Sequence, residues 1–81
     1  MAKPSPSYNK QQELVALGGA IRELRIKLEL SQEAFADHAQ LDRSYLGGIE
    51  RGEHNLALMN LLKIASALDI TASQLLHKAK I

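Results

Sequence analysis

The chain has 81 residues, of which 46% are hydrophobic and 23% charged, the size and composition of one small globular domain. It contains no cysteine and no apolar run of membrane-spanning length, which excludes disulfides, thiolate chemistry, cysteine-based metal sites and a transmembrane helix. The formal net charge is only +1, so the overall charge does not indicate a nucleic-acid binder, and any such function must depend on where individual charges lie.

The N-terminal residues 1–8 hold the only two prolines, Pro4 and Pro6, and are expected to form a flexible or extended arm. No apolar stretch follows them, so no secretory signal is indicated, and we expect an intracellular, cytoplasmic protein. Residues 9–81 contain neither proline nor an internal repeat nor alternating apolar positions. This pattern favours a single domain built from helices.

A first helix is predicted over residues 11–27, because apolar residues recur there at three- and four-residue steps. Asn9 is its expected N-cap, with Gln12 in a capping-box position. Gly18 and Gly19 disfavour its first turns, since each internal glycine costs about 1 kcal/mol relative to alanine. The apolar stripe consists of Leu14, Leu17, Ile21, Leu24 and Leu28.

Two short helices follow, over residues 32–39 and 43–51. Ser31 and Asp42 are their expected N-caps, and Gly52 is placed to end the second of them. Two helices of this length joined by a short turn are typical of a helix-turn-helix. In that arrangement the second helix can enter a DNA major groove about 12 Å wide, while the first lies across the phosphate backbone.

A fourth helix is predicted over residues 58–68 and a fifth from Thr71 to about Lys78. Thr71 and Gln74 have capping-box spacing, whereas Ala57, which precedes the fourth helix, has no side chain that could cap it. Apolar spacing in the third and fourth helices predicts a shared core. The core residues expected there are Leu46, Ile49, Leu61, Leu62 and Leu68.

Several stretches match one protein family at that family's spacing. They are Leu-Ser-Gln-Glu (30–33), Phe-Ala (35–36), Leu-Asp-Arg-Ser-Tyr-Leu (41–46), Ile-Glu-Arg-Gly (49–52), Asn-Leu (55–56), Leu-Leu-Lys-Ile-Ala (61–65) and Ala-Leu (67–68). Over about residues 17–76 the chain resembles the phage-repressor (Cro/repressor, Xre-like) helix-turn-helix family, and within it most resembles the small controller proteins of restriction–modification systems. The resemblance implies an all-α, compact, five-helix, lambda-repressor-like DNA-binding domain.

The resemblance also implies roles for residues around the turn. Gln32 matches a glutamine that contacts a DNA phosphate and braces the recognition helix. Arg43 and Ser44 match base-reading positions, and arginine can donate two hydrogen bonds to guanine, worth about 1–3 kcal/mol of discrimination. Glu33 stands where some relatives use a carboxylate to orient that arginine.

Further DNA contacts are implied at the end of the recognition helix and beyond it. His54 and Asn55 lie in the loop that relatives place along the DNA backbone, and Arg51 completes the expected DNA-binding set. Gly48 replaces a side chain and would allow close approach to DNA without direct base readout. Tyr45 has two interpretations: its hydroxyl or ring contacts DNA, or it packs against the core.

Two other positions bear on the geometry of the recognition helix. Arg25 and Glu50 fall where relatives place a buried ion pair between the first and third helices. Such a pair fixes geometry more than it stabilises, since the loss of one partner costs about 3–5 kcal/mol while replacing both need not. Gln40 occupies a turn position usually held by glycine, so it must adopt a positive φ or change the turn.

A single recognition helix reads few base pairs, which favours a homodimer with its two helices about 34 Å apart on a palindrome. The last two helices carry more apolar surface than their core obviously needs. The residues expected at a dimer interface are Met59, Ile70, Leu75, Leu76 and Ala79. The alternative is that Leu75 and Leu76 close the core.

The leading hypothesis is therefore a homodimeric transcriptional regulator on double-stranded DNA, which represses by occlusion or activates by contact with RNA polymerase. One alternative is the antitoxin of a toxin–antitoxin pair, with the toxin bound through residues 1–10. Another is a helix-turn-helix protein kept only as a protein–protein adaptor. His38, His54 and His77 lack metal-ligand spacing, and no nucleophile–base set is visible, so neither an enzyme nor a metal or cofactor site is indicated.

Overall fold

The computed structural model describes residues 11–81, which form five α-helices and no strand. The helices are α1 (Gln12–Lys27), α2 (Gln32–His38), α3 (Arg43–Glu50), α4 (Leu58–Ala67) and α5 (Ala72–Lys78). The predicted order is confirmed, and the predicted bounds agree to within one residue. No helix in this part of the chain is long and apolar enough to cross a membrane.

The helix starts follow the predicted capping residues. Ser31 accepts a hydrogen bond from the backbone of α2, Asp42 caps α3, and Thr71 forms a complete capping box with Gln74 on α5. Ala57 precedes α4 without a side-chain cap, as expected. The prediction for α1 differs, because the N-cap position belongs to residue 11, while Asn9 lies outside the described residues.

Each helix ends in the same way, with a residue of positive φ followed by a backbone N–H that returns to the last turn. At the end of α2 the N–H of Gln40 donates to Asp37 (3.1 Å) and that of Leu41 to Ala36 (2.8 Å). Of the two alternatives for Gln40, a positive φ or a changed turn, the structure shows the positive φ. Glycine takes this position only after α3, where the φ of Gly52 is 78°. The non-glycine residues are Glu29 (60°), Gln40 (59°), Asp69 (60°) and Lys80 (63°).

A glycine sets the approach of α1 to α3. A Cβ atom on Gly18 would lie 2.2 Å from the carbonyl oxygen of Ile49 and 2.7 Å from that of Glu50, so a side chain there would force the two backbones apart. Gly19, its neighbour, has nothing within 4 Å of the same position. Gly18 therefore has a packing role that its helix propensity does not reveal, and Gly19 does not.

The core lies between all five helices. Phe35, Ile21, Leu46, Ile64 and Leu75 are its largest fully buried side chains. Leu46, Ile49, Leu61 and Leu68 belong to this core as predicted.

The prediction that Leu62 belongs to the core is wrong. Leu62 lies on the outer side of α4 with 41% of its surface exposed.

Candidate nucleic-acid interface

Helix α3 is exposed where it begins and buried where it ends. Asp42 and Arg43 are exposed and Ser44 and Tyr45 are half-buried, whereas Leu46 in the next turn is fully buried. The first turn of the helix therefore faces outwards on a helix whose later residues anchor it in the core. This is the arrangement that a helix needs in order to insert its leading end into a groove.

A buried ion pair connects α3 to α1. The guanidinium of Arg25 donates to both carboxylate oxygens of Glu50, from Nε at 2.7 Å and from Nη2 at 3.1 Å. Its Nη1 donates to the carbonyl of Leu30 at the start of the helix-turn-helix, at 2.7 Å. The predicted ion pair is confirmed, and it also fixes the segment that leads into α2.

The network continues through Gln32 to the exposed end of α3. The Gln32 Nε2 donates to Glu50 Oε1 at 2.9 Å, and Gln32 Oε1 accepts a long hydrogen bond of 3.4 Å from Arg43 Nη1. One amide thereby links the buried carboxylate to the exposed arginine. The predicted bracing role of Gln32 is confirmed, whereas its phosphate contact stays a prediction.

The expected orientation of Arg43 by Glu33 is wrong for this structure. Among residues 11–81, Glu33 forms no hydrogen bond or ion pair with Arg43, which instead contacts Gln32. The reason is helical geometry: adjacent residues project about 100° apart around an α-helix, so the side chain beside Gln32 is turned away from α3.

The first turn of α3 carries a fixed negative charge beside Arg43. The hydroxyl of Ser44 donates to the carboxylate of Asp42, which also accepts the backbone N–H of Tyr45 at 3.1 Å. These bonds hold the pKa of Asp42 below its usual value, the Ser44 hydroxyl contributing most. The proton of Ser44 is thus committed to the cap, while its oxygen still has acceptor capacity.

Tyr45 packs inwards. Its hydroxyl accepts a hydrogen bond from Asn60 Nδ2 on α4 at 3.0 Å, and its ring centroid lies 5.0 Å from that of His54, tilted by 59°. Of the two interpretations of Tyr45, the structure supports packing against the core. Asn60 was not anticipated from the sequence; its only signal is an amide within the otherwise apolar first turn of α4.

Two predicted DNA contacts are corrected by burial. His54 is 7% exposed, because its ring packs against Tyr45 and over Gly48. Gly48 is itself buried, so this face of α3 is covered by protein and offers no close approach to DNA. Asn55, the next residue, is exposed and keeps its predicted place on the surface.

Arg51 lies at the far end of α3 and is held by an acidic neighbour. Its Nε and Nη2 donate to the two carboxylate oxygens of Glu53 at 2.9 and 3.0 Å, and this pairing raises the pKa of Arg51. The Arg51 side chain is still 56% exposed, so it remains accessible at the surface predicted to face DNA. The role of Glu53 was missed, although an opposite charge two residues after Arg51 was its signal.

The predicted dimer surface divides between core and exterior. Leu75 is 0% and Ala79 9% exposed, so both belong to the monomer core and that part of the prediction is wrong. They are buried because α5 packs on both α1 and α4. Ile70 and Leu76 are partly buried against the core, and Met59 is 66% exposed.

The exposed apolar surface of α4 extends beyond Met59 to Leu58 (66%) and Leu62 (41%). Beside it lies an open groove of about 390 Å³ that runs from the end of α2, at Gln40, along α4 to Ala67. Within residues 11–81 no group of three or more His, Asp or Glu is placed to hold a metal ion.

Comparison with known proteins places this geometry in a family. The helix-turn-helix family model matches residues 21–75. The control protein C.MunI of a Mycoplasma species is 45% identical over 62 residues, which cover 75% of this chain and 84% of that protein. The restriction–modification controller protein C.AhdI from Aeromonas hydrophila superimposes with a TM-score of 0.78 at 51% identity, covering 80% of this chain and 98% of that one.

A second similar structure is SinR, a master regulator for biofilm formation, solved in complex with DNA. It superimposes with a TM-score of 0.70 at 31% identity and covers 74% of this chain and 97% of that chain. The matched segment includes α2, the turn and α3, where the sequence motifs lie. The chain therefore belongs to the helix-turn-helix family, with restriction–modification control proteins among its relatives.

Proposed function

We propose that this protein is a sequence-specific DNA-binding transcriptional regulator that acts as a homodimer on a palindromic operator, with α3 in the major groove. The observation that carries the proposal is the exposed first turn of α3, whose Arg43 is joined through Gln32 and Glu50 to the buried Arg25. The relation to control proteins and to a regulator solved with DNA supports the same function.

Arg43 is the side chain best suited to read a base. A guanidinium can donate two parallel hydrogen bonds to guanine O6 and N7 in the major groove, and Arg43 is both exposed and restrained at one nitrogen by Gln32. A restraint of this kind reduces the side-chain freedom that is lost on binding. Arg51 and Asn55 flank the other end of α3, where phosphate contacts would fix its register.

The homodimer is proposed to form through the exposed apolar face of α4. Met59 and Leu62 project beside the groove that begins at Gln40, so a two-fold axis near Leu62 would place the protruding side chains of each copy against the other. A symmetric pair doubles the number of base contacts and spaces the recognition helices about one DNA turn apart. The bound dimer would act by occluding a promoter or by contacting RNA polymerase.

Selection of bound fragments from random double-stranded DNA tests the proposal. We expect a palindrome with half-sites about 10 base pairs apart, centre to centre, and a guanine in each half-site that is no longer selected by Arg43→Ala. Absence of any enriched sequence at every salt concentration would contradict the proposal and favour a protein–protein adaptor. Co-purification with a small partner protein from the source cells would favour an antitoxin.

The dimer is tested separately by sedimentation of two matched variants. Leu62→Lys introduces a charge on the proposed interface, whereas Ile26→Lys introduces the same charge on α1, at a residue of similar exposure (48% against 41%). We expect Leu62→Lys to be monomeric and Ile26→Lys to remain dimeric. A dimer that survives Leu62→Lys would exclude this face of α4.

A further inference from the structure

Residue 48 lies one helical turn after Ser44, so the two positions share a face of α3. A Cβ atom on Gly48 would lie 2.6 Å from both Cδ2 and Nε2 of His54, and the next nearest atom, Glu53 Oε1, is 3.6 Å away. The imidazole thus occupies the space that a side chain at position 48 would fill. Because the obstacle is the ring alone, removal of that ring would make room for alanine.

The imidazole also packs against Tyr45, a residue that connects two helices. Tyr45 lies on α3, and its hydroxyl is held by Asn60 on α4. His54 itself belongs to the connection between α3 and α4. The position of this ring therefore bears on where the first turn of α3, the connecting loop and α4 lie relative to one another.

The chemistry of the ring is unfavourable for stability. The Nε2 of His54 is buried and has no hydrogen-bond partner, and a buried polar atom left unpaired destabilises a fold. An apolar ring of similar shape would avoid that cost. What the ring supplies at this position is therefore its shape, and not a hydrogen bond from Nε2.

We propose that Gly48 and His54 form a matched pair of positioning residues for DNA recognition. The absent side chain at residue 48 admits the imidazole, and the imidazole fixes the loop that carries Asn55 and the pairing of Tyr45 with α4. The pair acts through these neighbours and contacts no base. This inference rests on the proposed function and adds to it the residues that set the pose of α3.

The pairing itself is tested by thermal unfolding without DNA. In a His54→Ala background, Gly48→Ala should raise Tm by about 4–8 °C, because alanine is the better helix former and the ring is gone. Gly19→Ala, which meets open space, is the matched control and should give a similar rise in the wild-type background. In that background Gly48→Ala should lower Tm. Equal shifts from Gly48→Ala in both backgrounds would overturn the pairing.

The positioning role is tested with the palindrome that the protein selects and a scrambled duplex, at a temperature where every variant is folded. We expect Gly48→Ala to weaken binding to the palindrome by about 5–150-fold, as for a lost base contact, with the scrambled duplex affected less than about twofold. His54→Phe, which keeps a ring, should retain the palindrome affinity that His54→Ala loses.

Two results would overturn the positioning role: an equal loss on both duplexes, or His54→Phe as impaired as His54→Ala. Failure of the proposed function is distinguishable, because it would appear as a wild-type protein without sequence preference. That outcome would remove the role in recognition, whereas the Tm measurements would still decide whether Gly48 and His54 are paired.

Discussion

At the residue scale, Arg25 is the position where burial and charge combine most strongly. Its guanidinium holds Glu50 and the carbonyl of Leu30, and Glu50 in turn holds Gln32. A buried carboxylate left without its cation is costly, since desolvation is not offset by a partner. The ion pair therefore sets the geometry of α3, and its disruption should affect the whole domain.

We expect Arg25→Met to lower the free energy of unfolding by about 3–5 kcal/mol, because the Glu50 carboxylate would remain buried without a counter-charge. Urea unfolding measures the change. The double variant Arg25→Met/Glu50→Leu is the control, and it should recover much of the lost stability because no uncompensated charge remains. A loss below about 1 kcal/mol for Arg25→Met would place the pair in the weak class of surface ion pairs.

Asp42 makes stability depend on pH. Its folded-state pKa lies below the ordinary value of 3.8, because the Ser44 hydroxyl and the Tyr45 N–H donate to the charged carboxylate. A depressed pKa means that the contribution is fully present above pH 3.8 and is lost as the pH falls through the lower folded-state value.

The unfolding free energies of the wild type and Asp42→Asn should therefore differ most near neutral pH and converge as the pH falls below 3.8. Chemical unfolding between pH 7 and pH 2 measures this difference. Asp37→Asn, which changes an exposed carboxylate on α2, gives the baseline for loss of a surface charge. If the difference in unfolding free energy between the wild type and Asp42→Asn stayed constant over the whole pH range, the charge of Asp42 would not be what stabilises the start of α3.

The role of Asp42 was predicted from local spacing, whereas the Arg25–Glu50 pair, whose members are 25 residues apart, was predicted from the family resemblance. Asp42 caps a helix three residues from the N–H that it binds, and such spacing is visible in a sequence. The burial of His54 and the choice of Gln32 over Glu33 as the partner of Arg43 depend on side-chain directions between elements. Those directions follow from tertiary packing, which local spacing does not encode.

At the element scale, Gly18 and Gly19 separate two effects of glycine. Gly18→Ala would place a Cβ within 2.2 Å of the Ile49 carbonyl oxygen, and that oxygen belongs to a backbone that cannot rotate away. We expect a loss of about 1–3 kcal/mol from this overpacking. Gly19→Ala, in open space, should instead gain about 0.5–1 kcal/mol. Denaturant unfolding measures both changes in stability. Changes of the same sign for the two variants would contradict the close contact of α1 with α3 at Gly18.

The turn of the helix-turn-helix contains strain at Gln40, whose φ is 59°. A left-handed backbone conformation costs an L-residue about 1–2 kcal/mol. Glycine avoids this cost, but its unfolded state has more conformational entropy, which offsets part of the gain in stability. Gln40→Gly should therefore raise the free energy of unfolding by about 0.5–1 kcal/mol. Gln40→Ala, which keeps the Cβ atom, is the matched control and should not raise the free energy of unfolding. Equal changes for Gln40→Gly and Gln40→Ala would contradict backbone strain at this position.

Helix order and helix ends could be predicted because apolar period, caps and stops are local. Which apolar residues face a neighbour was less predictable, as Leu62 and Leu75 illustrate. Both occupy apolar positions of C-terminal helices, yet Leu62 is 41% exposed while Leu75 is fully buried. The difference depends on how α5 crosses α1 and α4, and helix crossing depends on the shapes of both surfaces.

At the scale of the whole molecule, the net charge of +1 gives little general attraction to DNA. Binding in the proposed mode must then come from a few placed cations, with Arg43 at one end of α3 and Arg51 at the other. A dimer with about six phosphate contacts should lose roughly 10³-fold or more in affinity between 50 and 200 mM salt. Fluorescence anisotropy across this range measures the slope, and a flat response would contradict phosphate binding.

The central claim is that the exposed first turn of α3 reads DNA, and one comparison of affinities tests it most directly. Arg43→Ala and Arg22→Ala remove the same charge, the latter from the exposed surface of α1. On the selected palindrome, Arg43→Ala should weaken binding by about 5–150-fold while Arg22→Ala changes it by less than about threefold, since a base contact is worth about 1–3 kcal/mol. Equal affinities for the two variants would contradict the account.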